Sequence, residues 1–327
     1  MYDSFHRKID YMRISITDRC NLRCRYCMPE GIDLIPMKEI LRYEEILMLV
    51  RQAVALGIVK YKITGGEPLV RKGCINLIRQ MKNIPGLEQV TLTTNGVLLK
   101  DFLPDLKEVG IDGINISLDT MIPEKYADIT GYDKFHEVME GIMMAVNLGL
   151  KVKINCVLQK GRNEEEWQDI LQLAGRYPLD VRFIELMPIG VGKNEETVYN
   201  DILLSRIRSH YPDLMEDHKI HGNGPAVYYH IPGFKGSIGL ISAMHGKFCD
   251  SCNRIRMTST GDIKPCLCFE KSISVRKALR DTGADAQEKE GKIRAVLETA
   301  ISEKPQMHHF EEEKEITEHK KMVQIGG

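Results

Sequence analysis

The sequence lacks the features of a membrane protein, a nucleic-acid-binding protein or an exported protein. Its 327 residues include 45 lysines and arginines against 46 aspartates and glutamates, so the net charge of −1 gives no general attraction for nucleic acid or lipid headgroups. No segment reaches the ~18 consecutive apolar residues of a membrane span. The amino-terminal stretch MYDSFHRKID also lacks the apolar core of an export signal. We therefore expect a cytoplasmic protein that binds neither nucleic acid nor a membrane.

The nine cysteines stand out from this plain composition. Without an export signal they are expected to be reduced, which favours metal binding or catalysis over disulfides. Cys74 and Cys156 lie in helical and strand patterns, so we expect both to be buried structural thiols. The other seven form two groups, one near the amino terminus and one in the last third of the chain.

Strand and helix patterns alternate through the first part of the chain. Apolar alternation predicts strands at 12–17, 61–64, 90–93, 113–117, 151–157 and 181–186. Helical spacing predicts helices at 43–56, 75–81, 102–109, 135–148 and 165–176. Six such units predict a parallel sheet but are too few for a closed eight-stranded barrel, so we predict an open, partial β/α barrel of the TIM type over residues 1–190. Polar residues follow each strand and are expected to meet at one mouth.

The regular alternation decreases after about residue 190. Residues 223–239 are rich in glycine and proline and indicate loops with short strands, whereas 288–301 predict a helix. The charge run at 310–321 is expected to be a solvated face or a mobile linker. We predict that residues 191–327 form an α+β C-terminal domain that carries the second cysteine group.

The first cysteine group lies in the loop TDRCNLRCRYCMPEG. Cys20, Cys24 and Cys27 have the spacing C-x3-C-x2-C, with Tyr26 just before the third cysteine. Three thiolates on one short loop can hold three irons of a [4Fe-4S] cluster and leave the fourth iron open to a small molecule. The alternatives are zinc, which takes four closed ligands or three in a catalytic site, and disulfides, which a reducing compartment disfavours.

The second group lies in the segment FCDSCNRIRMTSTGDIKPCLC, whose cysteines are Cys249, Cys252, Cys266 and Cys268. Its spacing is typical of a metal site, and taken alone it favours zinc at least as much as iron. Cys266 and Cys268 would share one face of a strand, whereas a loop could direct only one of them inward. Arg254 and Arg256 would project from an extended segment beside the metal and suit a phosphate, although surface arginines are the alternative.

The first loop resembles the C-x3-C-x-aromatic-C signature of the radical S-adenosylmethionine (SAM) superfamily. A second element of that superfamily, ITGGEPL at 63–69, directly follows a predicted strand. Within the superfamily the chain is similar to the GTP 3′,8-cyclase family, in the segments RISITDRCNLRCRYCMPEG, KITGGEPLVR, LTTNG, ISLD, KINCVLQKG, RFIELMPIG and FCDSCNRIRMT and in the last three residues, IGG. The resemblance covers nearly the whole chain, with the motifs in the family's order.

The resemblance implies two [4Fe-4S] clusters, SAM and GTP. The cluster that binds SAM would be held by Cys20, Cys24 and Cys27, and the cluster that faces the guanine of GTP by Cys249, Cys252 and Cys266. SAM would be bound by Tyr26, Gly66, Ser117 and Met187. The contacts to GTP would come from Arg13, Lys62, Thr93, Lys153, Arg254 and Arg256. Catalysis would involve Arg182 and the tail residues Gly326 and Gly327, which lack side chains and could thread into the mouth.

The resemblance also implies a reaction. A 5′-deoxyadenosyl radical would remove the hydrogen from ribose C3′ of GTP, and attack on C8 of guanine would give (8S)-3′,8-cyclo-7,8-dihydro-GTP, the first step of molybdenum cofactor biosynthesis. The electron would come from a protein of the flavodoxin or ferredoxin type, and the product would pass to cyclic pyranopterin monophosphate synthase. A monomer and a homodimer are both open. Lys62, where many relatives carry arginine, and the additional Cys268 depart from the family pattern.

Two other functions remain open from the sequence. The first is a radical SAM peptide maturase with an auxiliary cluster, although such enzymes usually carry a longer series of C-terminal cysteines. The second is a zinc- or cluster-stabilised binding module without catalysis, against which the GGEP element and the three-cysteine loop argue.

Overall fold

The structure, a computed structural model, describes residues 1–29, 33–244 and 248–326. The strands are β1 (Tyr11–Ser15), β2 (Lys60–Thr64), β3 (Gln89–Thr94), β4 (Gly113–Ser117), β5 (Val152–Val157), β6 (Asp180–Ile184), β7 (Met215–Glu216), β8 (Val227–His230), β9 (Ile238–Ile241), β10 (Arg254–Met257), β11 (Asp262–Lys264) and β12 (Ile273–Ser274). The α-helices are α1 (Tyr43–Ala55), α2 (Cys74–Lys82), α3 (Leu99–Glu108), α4 (Pro123–Thr130), α5 (Phe135–Asn147), α6 (Trp167–Arg176), α7 (Asn200–His210), α8 (Arg276–Leu279), α9 (Ala286–Ser302) and α10 (Met322–Ile325).

The first six strands lie side by side in chain order and are parallel, with helices crossing between them. The predicted open β/α barrel is therefore confirmed. Strand alternation explains the layering: in β3, Val90 and Leu92 are buried, whereas Thr91 and Thr93 are half-buried on the opposite face. Each fully buried aliphatic side chain stabilises the fold by about 1.5–3 kcal/mol. The polar residues of the opposite face are thereby left to line the barrel interior.

The C-terminal part of the chain widens this barrel at both edges. β9 pairs parallel to β6, and β10 pairs parallel to β1, so eight adjacent strands run in one direction. Antiparallel partners then extend the sheet, through β8 and β7 on one side and β11 and β12 on the other. The sequence did not indicate these pairings, because β9 and β10 are only four residues long and no regular strand–helix alternation introduces them. The division of the chain at residue 190 stays a prediction.

The charge run near the C-terminus is a largely exposed face with a few buried side chains. Residues 310–321 were expected to be a solvated face or a mobile linker, yet Phe310, Ile316 and Glu318 are buried. The two apolar side chains join a small core with Ile189 and Ile325, separate from the main core. The predicted solvated face is confirmed for the described positions between these side chains, which are exposed, whereas the few buried side chains determine where the run packs.

Two further sequence predictions can be compared with the structure. Cys74 at the start of α2 and Cys156 in β5 are both buried, as expected for structural thiols. Across the described ranges, no helix combines the length and the apolar character that crossing a membrane requires.

Candidate active site

A cavity of about 330 Å³ lies at the carboxyl ends of the barrel strands. Both predicted cysteine triads line it: Cys20, Cys24, Cys27, Cys249, Cys252 and Cys266. The wall also includes the four residues predicted to bind SAM, which are Tyr26, Gly66, Ser117 and Met187. Four of the residues predicted to bind GTP line it as well: Arg13, Thr93, Arg254 and Arg256. Residues that are more than 200 positions apart in the chain thus share one chamber.

Backbone hydrogen bonds from the GGE element hold the residues that lead from β1 into the first cysteine loop. The Gly66 N–H donates to the carbonyl of Thr17, and the Glu67 N–H donates to the carbonyl of Arg19, both at 2.7 Å. A Cβ atom at Gly66 would overlap the Arg19 carbonyl, so only glycine permits this approach. The GGE element therefore sets the position from which the loop leaves β1.

Gly66→Ala is expected to lower the free energy of unfolding by about 1–3 kcal/mol, because the added methyl group meets backbone atoms that cannot move aside. It should also weaken SAM binding, since the loop would shift. Urea denaturation and equilibrium dialysis with SAM measure the two effects. Gly291→Ala is the control, because that glycine lies in α9 with no heavy atom within 4 Å of its added Cβ. Equal stability and SAM affinity of both variants would contradict this account of the loop.

Glu67 connects the GGE element to the end of β3. Its carboxylate is buried and accepts hydrogen bonds from the Leu69 N–H at 3.0 Å, the Thr94 hydroxyl at 2.9 Å and the Asn95 N–H at 2.6 Å. Burial raises the pKa of Glu67 to about 7, although these hydrogen bonds favour the ionised form. The carboxylate thus acts as a fixed acceptor between two strand ends, which is a structural role for the acidic residue of this motif.

The first triad has the surroundings that an iron–sulfur cluster requires. The sulfur of Cys20 accepts from the Leu22 N–H at 3.4 Å and from the Asn95 side-chain amide at 3.6 Å. The Val323 N–H of the C-terminal tail approaches the sulfur of Cys27, whose pKa burial raises to about 12. Iron supplies the positive charge that a buried thiolate otherwise lacks, and N–H groups directed at sulfur are typical of cluster sites. These residues fit a [4Fe-4S] cluster.

Tyr26 anchors the third cysteine to the barrel. Its hydroxyl donates to Asp119 at 2.7 Å, and the other oxygen of that carboxylate accepts from the Val157 N–H at 2.8 Å. Burial raises the pKa of Asp119 to about 6, although the two hydrogen bonds oppose the shift. The loop is thereby tied to the ends of β4 and β5, which gives a structural reason for a hydroxylated aromatic residue next to Cys27.

The second triad is built from the segment before β10 and the segment after β11. The sulfur of Cys249 accepts from the His308 N–H at 3.4 Å, and its carbonyl accepts from the Arg7 guanidinium at 2.8 Å. Burial alone would raise the pKa of Cys252, but the nearby cations Lys304 and Arg254 lower it to about 7. All nine cysteines are free thiols, so the structure contains none of the disulfides that were an alternative. These residues also fit a cluster with one open iron.

Cys268 lies apart from the second triad's cavity face. It is fully buried, it belongs to the small C-terminal core, and its sulfur accepts from the His309 N–H at 3.4 Å. Among the described residues that line the cavity, Cys266 is present and Cys268 is not. The arrangement supports the loop reading of this pair, in which only Cys266 is directed inward.

Cationic side chains of adjacent strands lie in one layer of the barrel. Arg13 of β1 stands in register with Lys62 of β2 on one side and with Arg256 of β10 on the other. Arg254 lies two residues before Arg256 and therefore on the same face of β10. Burial and the surrounding arginines and lysine lower the pKa of Lys62 well below its usual value. A group of like charges this close suits a polyanionic ligand.

Lys153 near the start of β5 and Arg182 at the middle of β6 belong to the same group of cations, since both lower the pKa of Lys62. The Lys153 ammonium donates to the Tyr228 hydroxyl at 3.1 Å and to the carbonyl of His221. Arg182 donates to the side-chain oxygens of Asn115 and Asn155. Both cations therefore have partners in the barrel interior, which hold their charges in place.

The C-terminal tail enters the cavity wall. The carbonyl of Gly326 accepts from the Arg256 guanidinium at 2.9 Å. Gly326 has a φ of +78°, and a Cβ there would lie 3.0 Å from the Cβ of Ser15 and 3.3 Å from the Thr64 hydroxyl. Gly327, predicted to be catalytic, lies outside the described residues. Glycine at 326 is explained by both its backbone conformation and its close packing.

A buried ion pair holds the tail on the second cysteine segment. Lys264 and Glu318 form a salt bridge, with side chains that are 1% and 0% exposed. Lys264 also donates to the carbonyl of Phe269 at 2.9 Å, and the Glu318 carboxylate accepts from the Lys320 N–H at 2.7 Å. This pair fixes the tail only eight residues before Gly326.

Several residues that shape the site were not identified from the sequence: Arg7, Lys264, Lys304 and Glu318. Arg7 joins the amino terminus to carbonyls as far as 299 positions away. Lys304 follows the end of α9, and Glu318 lies inside a run of charges. No local spacing marks them, because their partners come from remote parts of the chain.

Comparison with solved structures supports the fold. A crystal structure of Streptococcus suis SuiB bound to S-adenosylmethionine matches 97% of this chain and 78% of that chain, with a TM-score of 0.63 and 15% identity. The structure of native anSMEcpe with bound AdoMet matches 88% and 82%, with a TM-score of 0.57 and 16% identity. At these identities the likeness shows the barrel architecture alone.

Comparison with protein families and named relatives gives the family of the chain as well as its fold. Residues 14–174 match the radical SAM superfamily, and residues 179–310 match the family described as Molybdenum Cofactor Synthesis C. Proteins named GTP 3′,8-cyclase align over the full length of both chains, with 41% identity in Clostridium perfringens strain SM101, 44% in Alkaliphilus metalliredigens and 44% in Moorella thermoacetica. The chain belongs to the GTP 3′,8-cyclase family of the radical SAM superfamily.

Proposed function

We propose that this protein is a radical SAM cyclase that converts GTP to (8S)-3′,8-cyclo-7,8-dihydro-GTP, the first step of molybdenum cofactor biosynthesis. One observation carries the proposal: two cysteine triads, one near the amino terminus and one in the last third of the chain, line a single cavity together with four arginines. The full-length relatives named for this reaction support the substrate. A binding module would not need two open metal sites around one cavity.

The first triad, formed by Cys20, Cys24 and Cys27, holds the SAM-binding cluster in this proposal. When bound there, SAM supplies on reduction a 5′-deoxyadenosyl radical that removes the hydrogen from ribose C3′. Tyr26, Gly66, Ser117 and Met187 bind SAM, and all four line the same cavity. The close contact of Gly66 with the loop backbone keeps SAM and the triad in a fixed relation.

The second triad and the cations bind GTP. Arg254 and Arg256 follow Cys252 directly in the chain, so the residues proposed to face the base and those proposed to bind phosphate are placed by one strand. Arg13, Lys62, Thr93 and Lys153 complete the contacts. Arg182 and the Gly326-Gly327 tail are proposed to assist the chemistry, and the bond between Arg256 and the Gly326 carbonyl connects tail and substrate site. Fixed orientation brings C8 and C3′ together, which lowers the entropic cost of the cyclisation.

The wider setting is also a proposal. The chain is expected to work in the cytoplasm, to receive electrons from a flavodoxin- or ferredoxin-type protein, and to deliver its product to cyclic pyranopterin monophosphate synthase. It is proposed to act as a monomer or homodimer, with residues 1–190 forming the radical SAM barrel and residues 191–327 the domain of the second cluster.

The test is an isotope transfer. Anaerobically reconstituted protein would be incubated with a strong reductant, SAM and GTP deuterated at ribose C3′, and the 5′-deoxyadenosine analysed by mass spectrometry. We expect one deuterium in the 5′-deoxyadenosine, because the radical removes that hydrogen. GTP deuterated at C2′ is the control and should give unlabelled product.

Two results would contradict the proposal. Unlabelled 5′-deoxyadenosine from the C3′-deuterated substrate would keep the superfamily chemistry but reject this substrate or this position. No 5′-deoxyadenosine at all, from protein shown to contain both clusters, would favour a non-catalytic module.

A further inference from the structure

Lys304 places a buried ammonium against the second cysteine triad. The residue is 4% exposed. Its Nζ atom donates to the carbonyl of Arg254 at 2.9 Å and to the carbonyl of Pro265 at 2.7 Å. It lines the same cavity as Cys252 and Cys266, and its charge lowers the pKa of the Cys252 thiol. An ammonium has three N–H donors, and these two carbonyls occupy two of them.

The charge of Lys304 lacks the usual partner. Among the described residues, no carboxylate forms an ion pair with it, whereas the equally buried Lys264 is paired with Glu318. A buried ammonium is costly unless an anion lies nearby. The sulfur of Cys252 and the other two thiolates of its triad are the anionic groups that the site provides, and a cluster bound to them would carry negative charge.

The same ammonium joins the two ligand segments of the triad. The Arg254 carbonyl belongs to the strand that follows Cys252, and Pro265 directly precedes Cys266. One side chain therefore braces Cys252, Cys266 and the start of the strand that carries the arginines. A change at this position affects the electrostatic environment of the triad and its geometry together.

We propose that Lys304 is a positioning residue of the second cluster whose positive charge raises the reduction potential of that cluster. The inference rests on the proposed function, because it assumes a [4Fe-4S] cluster on Cys249, Cys252 and Cys266. Reduction adds negative charge to the cluster, and a fixed cation in a desolvated site stabilises the reduced state more than the oxidised state. Hydrogen bonds to cluster sulfurs act in the same direction.

The test measures potential rather than turnover. In full-length protein with Cys20, Cys24 and Cys27 changed to serine, only the second cluster remains, and its midpoint potential can be followed by EPR during redox titration. Lys304→Gln keeps hydrogen-bond donors without the charge, and Lys304→Met removes both. We expect both variants to lower the one-electron reduction equilibrium constant by about tenfold, which corresponds to about 59 mV.

Two controls separate charge from structure. Lys304→Arg retains the charge, so its midpoint potential should differ from that of the parent by only a small fraction of the shift expected for the uncharged variants. Lys271→Met removes an exposed lysine, 60% accessible and paired with Glu303 at 3.2 Å, and should leave the potential unchanged. Iron analysis and circular dichroism would accompany every variant, and Lys304→Gln remains informative if Lys304→Met does not fold.

The outcomes distinguish this inference from the function on which it rests. A full cluster whose potential is the same in Lys304→Gln and in the parent would overturn the role of Lys304 and leave the proposed function intact. A parent protein that binds no iron at the second triad would instead overturn the cluster assignment itself. A lower potential in both uncharged variants, with the arginine variant close to the parent, would support the inference.

Discussion

Cys24→Ser is expected to abolish formation of 5′-deoxyadenosine, whereas Cys252→Ser should still cleave some SAM while losing the cyclised product. Serine is a poor ligand for iron in clusters, which select soft thiolates. Both cysteines line the cavity, but they belong to different triads, so each change removes one function. About half of the iron should remain in each variant, because each cluster holds four irons. Liquid chromatography with mass spectrometry measures both products in one reaction.

The matched control for this pair is Cys74→Ser. Cys74 is a buried free thiol at the start of α2, and it lies outside the cavity wall. It should keep the iron content and both products of the parent. Equal residual cyclisation in Cys24→Ser and Cys252→Ser would contradict the assignment of separate roles to the two triads.

Glu318→Gln is expected to destabilise the protein by about 3–5 kcal/mol, because it leaves the ammonium of Lys264 buried and unpaired. The same change should release the tail, since the Lys264–Glu318 pair is the last buried ion pair before Gly326 among the described contacts, and the later Lys320–Asp262 pair is partly exposed. Urea denaturation would measure the loss of stability. Hydrogen exchange at residues 318–326 would measure the release of the tail.

A double variant tests whether the loss of stability comes from the unpaired charge of Lys264. Lys264→Met with Glu318→Leu removes both charges and fills the same space, so it should recover most of the lost stability. Lys160→Met breaks the exposed pair with Glu196 and should leave the urea midpoint unchanged. A single variant as stable as the double variant would show that the buried pair does not anchor the tail.

The sequence was sufficient to predict those features that depend on the spacing of neighbouring residues. Strands β1 to β6 were located within three residues at each end, because alternating burial follows directly from the order of apolar and polar residues. The cysteine groups were located for a related reason, because Cys20, Cys24 and Cys27 are closely spaced on one loop; their role as cluster ligands stays a prediction. The resemblance to a family then supplied roles that spacing alone left open.

The sequence was insufficient where remote segments meet. The pairing of β10 with β1, the burial of Ile316 within a charged run and the place of Lys304 beside Cys252 depend on contacts across the chain. A short strand can pair with any open edge, and a lysine after a helix normally points to solvent. Helices α4 and α7 were also missed, in segments where the predicted alternation of strand and helix did not require them.

The pairing of β1 with β10 has a consequence for how the chain is made. Asn253, whose carbonyl accepts from Tyr11 at the start of β1, is 243 residues from its side-chain partner Asp10. At a synthesis rate of ~5–20 residues per second, the outer edge of β1 waits roughly 12 to 50 seconds for its neighbour. During that time its N–H and C=O groups offer a pairing site to other nascent chains. The first strand to be synthesised thus receives its outer neighbour last among the eight parallel strands, and the yield of folded protein depends on keeping that edge unpaired until then.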